Sequence, residues 1–257
     1  MTAPATVSAP MLSDYLLRHG DDRLVLGHRL SMWCGHAPIL EEDIALANVA
    51  LDLLGQAQAL LALAGVTEGR GRDEDALAYF REAIEFRNAL LCEQPNGDFA
   101  ATITRQFLFD AWDLLVTESL ARSAHTELAG IMAKAHKEAR YHLRHSSEWM
   151  LRLGDGTEES HRRAQSAVDE LWRFGPELSV ADDLDRAMLE AGVGADLDAI
   201  RPRWETTVRE VLEAATLRVP PAGFMARGGR TGRHTEHLGH MLAEMQIVAR
   251  SHPGASW

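Results

Sequence analysis

The sequence predicts an all-α fold: an antiparallel, up-down four-helix bundle with additional N- and C-terminal helices. Two observations carry that prediction. Apolar residues recur at spacings of three and four, and no stretch alternates with the period of two that marks a strand. Long helical segments follow one another across short connections, and a short connection reverses the chain, so consecutive helices become antiparallel neighbours.

Gly, Pro and capping residues set the elements in order. A first helical pair covers 13–34, broken near Gly20 and ended by Gly35. Pro38 opens the next helix in its first turn, where a missing N–H costs nothing, and Glu41, Glu42 and Asp43 suit its positive end. This helix, 39–64, is the most apolar and is expected to lie centrally. A loop at 65–72 leads to a long helix at 73–93, stopped by Pro95. Long helices at 98–124 and 126–153 complete the bundle. After the turn Gly154-Asp155-Gly156 come helices at 157–174, 181–191 and 202–217, a Pro/Gly/Arg loop at 218–233, and a last helix at 235–251. Residues 1–10 read as a short disordered leader, and 11–257 as one domain with its bundle core at about 39–153.

Composition narrows the function. Lys and Arg number 26 against 38 Asp and Glu, a formal net charge of −12, which argues against a nucleic-acid partner. Hydrophobic residues make up 46%, which argues against disorder. Cys34 and Cys92 are too few for a disulfide scaffold and read as buried free thiols of a reducing compartment. The apolar stretch 44–64 is interrupted by Asn48, Asp52, Gln56 and Gln58, a polar load that a membrane-spanning helix of about 20 residues rarely carries. It is therefore expected to be a buried helix of a protein that stands apart from membranes.

The middle of the four long helices is where bundle chemistry sits. Carboxylate-bridged di-iron bundles place one acid on each of two helices and a Glu-x-x-His on each of the other two. Facing mid-helix positions of such a hairpin stand roughly 30 residues apart. Asp52 and Glu85 are 33 residues apart, and Asp110 and Glu138 are 28 apart, so all four fit that frame. The nitrogen ligands do not: Asn88 and Tyr141 occupy the third positions after Glu85 and Glu138. His142 is one residue further, about 100° round the helix. A set of acids held by Arg and Asn side chains would serve the same core without metal, and Asp113, Glu82 and Arg81 read as solvated or salt-bridged. Glu158-x-x-His161 opens a helix and reads as capping.

Weaker signals surround this frame. His142 with His145, and His234 with His237 and His240, have metal-compatible spacing but read as polar surface. The loop carrying Arg218, Arg227, Arg230 and Arg233 is basic and glycine-rich and runs into a helix start, a plausible anion site without the ending of a P-loop.

Several stretches carry a family resemblance. They are Leu26-Gly27-His28-Arg29-Leu30-Ser31-Met32-Trp33-Cys34-Gly35-His36-Ala37-Pro38, Leu51-Asp52-Leu53-Leu54-Gly55-Gln56-Ala57, Glu93-Gln94-Pro95-Asn96-Gly97-Asp98-Phe99, Lys137-Glu138-Ala139-Arg140-Tyr141-His142-Leu143-Arg144 and His234-Thr235-Glu236-His237-Leu238-Gly239. Together they resemble the C subunits of phenylacetyl-CoA epoxidases, the ring-1,2 monooxygenases of phenylacetate breakdown. The resemblance covers nearly the whole chain after residue 10. It implies a ferritin-like bundle in the cytoplasm, and a stable complex with a homologous catalytic A subunit that carries the di-iron centre and the CoA-ester pocket. A small B subunit and a flavin/iron–sulfur reductase complete such systems. It further implies a structural chain with no cofactor of its own, so no catalytic residue is carried over. Two other readings stay open: a di-iron oxygenase subunit with unusual ligands such as His142, and a helical interaction protein without an enzyme partner. Self-association as a homodimer is compatible with each. The basic loop is expected to touch the partner or CoA phosphates.

Overall fold

The computed structural model describes residues 7–221 and 223–255. Every regular element among them is helical: α1 (Ala9–Ser31), α2 (Leu40–Glu68), α3 (Glu74–Tyr79), α4 (Phe99–Leu120), α5 (Thr126–Gly154), α6 (Glu158–Leu171), α7 (Asp183–Glu190), α8 (Leu197–Ala214) and α9 (Glu236–Ser251), with 3₁₀ segments at Ala83–Glu85, Trp172–Ser179 and Gly229–Thr231. The all-α class read from periodicity is the one found. Contacts divide the chain into two compact units, 7–95 with 227–255, and 96–226.

In the first unit, α1 starts at Ala9, inside the expected leader; residues 1–6 lie outside the described residues. Ser8 accepts the Met11 N–H at 3.4 Å, and Pro10 sits in the first turn, where it interrupts no ladder. α1 does not break at Gly20. A Cβ there would stand 2.9 Å from Leu61 Cδ2, so the glycine is a point of close helix approach instead of a stop. The α1–α2 hairpin is antiparallel. Ser13 donates to Ala64 O (3.2 Å), Arg23 to Gln56 Oε1 (2.7 Å), and Gly27 meets Leu54 and Ala50, so partners descend as α1 ascends. α2 overruns its expected end and stops at Gly69, whose φ of +68° suits a glycine C-cap.

By length and composition α2 is apolar enough to cross a membrane, yet only half of its most apolar window is buried in the protein. Leu40, Ile44, Leu51 and Val66 are exposed, which corrects the expectation of a deeply buried helix. Cys34 is exposed too, because α1 ends before it, whereas Cys92 is buried as expected.

The expected helix at 73–93 is the largest departure. Only α3 forms, and residues 80–98 run as an irregular segment around one 3₁₀ turn. Hydrogen bonding explains why. Asp21 of α1 accepts the Arg87 N–H (2.8 Å), and Asp22 accepts that of Ala89 (2.7 Å). Arg29 Nη2 donates to Glu93 O (2.8 Å), Gln246 Nε2 to Ala78 O (3.0 Å) and Arg81 O (3.1 Å), and Arg250 Nε to Tyr79 O (3.1 Å). Side chains from α1 and α9 take backbone groups that a helix would have paired internally, so the segment stays satisfied without the helical ladder.

In the second unit, Asp98 caps α4 by accepting the Ala101 N–H at 2.9 Å. α4 and α5 are antiparallel: Thr104 meets Met150, Asp110 meets Ser146, and Thr117 meets His136. Trp204 of α8 donates to Leu108 O at 3.0 Å and fills the α4 side of the core. α8 starts at Leu197, earlier than Pro202 suggested, because Asp196 caps it through the Ala199 N–H (3.0 Å). Glu158 and His161 fall in the first turn of α6, as expected, with Thr157 and Ser160 forming the capping box.

Two stability outcomes follow from the first unit. Arg81→Ala strands the fully buried Asp21 without its counter-charge and is expected to cost about 3–5 kcal/mol. Urea unfolding of the purified chain measures it. Gly229→Ala places a Cβ 2.1 Å from Asn88 O and is expected to destabilise by about 1–3 kcal/mol. Gly239→Ala, with nothing within 4 Å, is the control that should be neutral or stabilising.

Candidate functional site: the buried acids

Interior acids are where this fold concentrates polar chemistry. Asp110 on α4 is 1% exposed. Its Oδ1 accepts from Gln106 Nε2 at 2.6 Å and its Oδ2 from Ser146 Oγ at 2.8 Å. Burial drives the carboxyl up to about 7; the neighbouring His142 and the two hydrogen bonds restrain that rise, while Asp113 adds to it. His142 is buried, not surface as expected, because it shares the α5 face of Ala135, Ala139, Ser146 and Met150. Asp113 is likewise buried.

The other unit solves the same problem with arginine. Asp21 is paired with Arg81 through two hydrogen bonds, and Asp22 with Arg230 at 2.8 Å; neither acid touches solvent. Both arginines were missed by sequence reasoning as interior partners. The available signal was His19-Gly20-Asp21-Asp22-Arg23, a polar run too long for one solvated stripe of α1. Glu93 is another fully buried acid of this unit. It accepts from Asn88 Nδ2 (2.9 Å), from the Thr235 N–H (2.6 Å) and hydroxyl (2.8 Å), and pairs with His234 Nδ1 at 2.7 Å. Burial lowers the His234 pKa, but the hydrogen bond and charge of Glu93 outweigh it, so the imidazole titrates above its ordinary value.

The six positions of the expected di-iron frame do not assemble as drawn. Glu85 and Asn88 are off any long helix: Glu85 is exposed and closes the 3₁₀ turn through the Glu82 N–H (2.8 Å), while Asn88 serves Glu93. Asp52 is half-buried on α2. Asp110 meets Ser146, not Glu138, since the hairpin register puts its partner 36 residues away. Glu138 lies about 12 Å further along α5 and is engaged by Lys134 at 3.7 Å. Tyr141 is 41% exposed and stacks on His145. Among the described residues no three His, Cys, Asp or Glu side chains gather as a metal cluster. With both Asp110 oxygens engaged by an amide and a hydroxyl, these residues do not fit a di-iron centre.

The basic loop is also redefined. Arg230 is an interior residue: besides Asp22 it donates to Arg18 O (3.2 Å) and Arg87 O (2.9 Å). Gly229 packs on the Asn88 backbone, so the glycines permit close packing instead of cradling an anion. The start of α9 already holds a carboxylate of this chain, that of Glu93 at Thr235. Arg218, Arg227 and Arg233 remain exposed.

Asp110 gives the chain a pH dependence of defined sign. Its folded carboxyl titrates near 7, against an ordinary value of 3.8, so the folded state holds the proton more tightly. That contribution is complete below about 3.8 and disappears as pH rises through about 7. Unfolding free energy should therefore fall by roughly 2–4 kcal/mol over this window. Asp110→Asn, uncharged throughout, should flatten that part of the profile when urea unfolding is followed from pH 4 to 8.

The sequence matches the family model described as phenylacetic acid catabolic protein over residues 2–257. It is 51% identical over 246 residues to the C subunit of the 1,2-phenylacetyl-CoA epoxidase of Escherichia coli (strain K12), across 96% of this chain and 99% of that protein. The motifs beginning at Glu93 and at His234, distant in sequence, are the ones the fold joins around a single buried carboxylate. On this match the chain belongs to the phenylacetic acid catabolic protein family.

Proposed function

We propose that this chain is a non-catalytic structural subunit of a multicomponent phenylacetyl-CoA epoxidase of the cytoplasm. It would support a catalytic A-type chain that carries the di-iron centre, with a B-type chain and a reductase completing the system for aerobic phenylacetate breakdown. The observation that carries this reading is the fate of the interior acids. Asp21, Asp22, Glu93 and Asp110 are each engaged by arginine, histidine, amide or hydroxyl partners of this chain, the groups expected where a bundle is kept as scaffold.

A docking face supports the subunit role. On α2, Leu40, Ile44, Asn48, Leu51, Gly55, Gln58, Ala62 and Val66 share one side of a 29-residue helix, and none of them is charged. Most are exposed. An uncharged strip about 40 Å long is a protein-interaction surface by composition. The exposed Arg218, Arg227 and Arg233 are assigned to contacts with partner chains. The alternative reading, a di-iron oxygenase subunit with unusual ligands, has only the pair of Asp110 and His142 behind it.

Co-expression with the A-type chain separates them. The expected result is a stable complex whose iron resides in the A-type chain, and a Leu51→Asp variant that folds normally but loses at least roughly tenfold in affinity for it. Stoichiometric iron with a di-iron spectrum in this chain alone would overturn the non-catalytic reading. Unchanged assembly of Leu51→Asp would overturn the α2 face.

A further inference from the structure

The 96–226 unit contains a groove of about 560 Å³ whose walls are the 3₁₀ segment Trp172–Ser179, α8 and the loop residues 219–221 and 223–225. The volume lies in the range of small-molecule sites, which is roughly 300–1,000 Å³. Both ends of the loop are fastened. Gln165 exchanges two hydrogen bonds with the Arg218 backbone (2.8 and 3.0 Å), and the Ala226 N–H donates to Arg173 O at 2.9 Å. The loop is thus a strap, and Phe224 stands on it 79% exposed, an unusual position for a phenyl ring.

Two kinds of group meet in the groove. The first is aromatic: Trp172 stacks on Trp204 with centroids 6.0 Å apart and planes at 22°, and Trp204 is locked by its bond to Leu108 O. Trp172 is half-buried and, with Phe224, lines the groove. The second is cationic. Arg201 is spent on Glu205 at 3.0 Å, but Arg173 and Arg209 have no ionic partner among the described residues. The Arg173 guanidinium lies over the Phe174 ring at 4.8 Å, which orients it while leaving its N–H fork available. Of the five charged lining residues three are arginines and two, Asp169 and Glu205, are acids, so the groove is net positive in a chain of net charge −12.

We propose that this groove is a nucleotide-class site, taking a heteroaromatic base against Trp172 and Phe224 and a phosphate group on Arg173 and Arg209. Stacking on an aromatic face suits any base, and guanidinium forks match phosphate oxygens. A free adenine nucleotide and the nucleotide end of a coenzyme A thioester share this chemistry. The coenzyme A source rests on the epoxidase reading; the groove itself does not.

Titration of the full purified chain, followed by tryptophan fluorescence and calorimetry, tests it with four probes: AMP, coenzyme A, adenosine and inorganic phosphate. AMP or coenzyme A should saturate below about 1 mM, with adenosine and phosphate alone roughly tenfold weaker or more. Arg209→Glu and Phe224→Ala, both on exposed side chains, should each weaken binding roughly tenfold without moving the thermal midpoint. Coenzyme A binding more than tenfold tighter than AMP assigns the thioester; equal binding assigns a mononucleotide. No saturation by either, or binding unchanged in both variants, overturns the site. Failure to assemble with the A-type chain while AMP still binds would overturn only the proposed function.

Discussion

Two adjacent aspartates without solvent contact, Asp21 and Asp22 at the middle of α1, set the terms for half of this structure. Buried carboxylates are tolerated only where cations and donors converge on them. Consecutive residues of a helix point about 100° apart, so the two acids draw their partners from two directions. Arg81 and the Arg87 N–H answer Asp21, while Arg230 and the Ala89 N–H answer Asp22. The irregular course of 80–98 follows from that demand. So does the position of the Gly228–Gly232 turn, which must bring Arg230 against α1 and therefore packs glycine on the Asn88 backbone. The arginine that looked like an anion receptor is itself the counter-ion of an interior acid.

Asp110 faces the same penalty and meets it differently. Among the described residues no arginine pairs with it; Gln106 and Ser146 donate to its oxygens, and burial raises its pKa so that it takes up a proton near neutral pH. The two solutions have different consequences. The α1 acids are held by arginine charge, whereas the Asp110 site changes charge near neutral pH. Glu93 with His234 is intermediate, a pair whose cation is titratable. Its contribution is present below the ordinary histidine pKa and fades as pH rises through the raised one, the same direction as Asp110. In both, the stabilising state is the protonated one.

The legible parts of the fold were those governed by local periodicity. α4, α5 and α6 begin within a residue or two of where they were expected, because Asp98, His125 and Thr157 bond their own helix starts. The segment 73–93 has helical composition, and its conformation is decided by acids some 65 residues earlier in the chain, a long-range competition that periodicity does not register. Gly20 was misread for a related reason: a glycine that breaks a helix and one that lets Leu61 approach look alike in sequence. The di-iron frame fails twice: residues 80–98 lack the helix that would carry Glu85 and Asn88, and the α4–α5 register separates Asp110 from Glu138. A spacing of 28 belongs to a pair nearer the turn; Asp110 stands ten residues before the end of α4, which puts its partner 36 residues on. The family motifs fared better because they record tertiary contacts directly: Glu93 and His234 each lie in one, and they touch.

The apolarity of α2 has an explanation that needs no membrane. A spanning helix is apolar on all sides and carries few polar residues at its centre. α2 carries Asp52 and Gln56 there, and Gln56 is bonded to the buried Arg23 of α1. Its apolar residues fall instead on two faces. One holds Leu46, Val49, Leu53, Leu60 and Leu61, all buried. The other holds the exposed Ile44, Leu51 and Val66 with the uncharged Asn48 and Gln58 between them. Helices with a single packed face usually place charge opposite it, since solvated Lys and Glu cost nothing there and keep the chain monomeric. The charges of α2 cluster instead in its first turn and at Asp52 and Glu68, away from the exposed strip. A helix built this way suits protein contact on both faces: α1 covers one, and the other is the face that the proposed function gives to a partner chain.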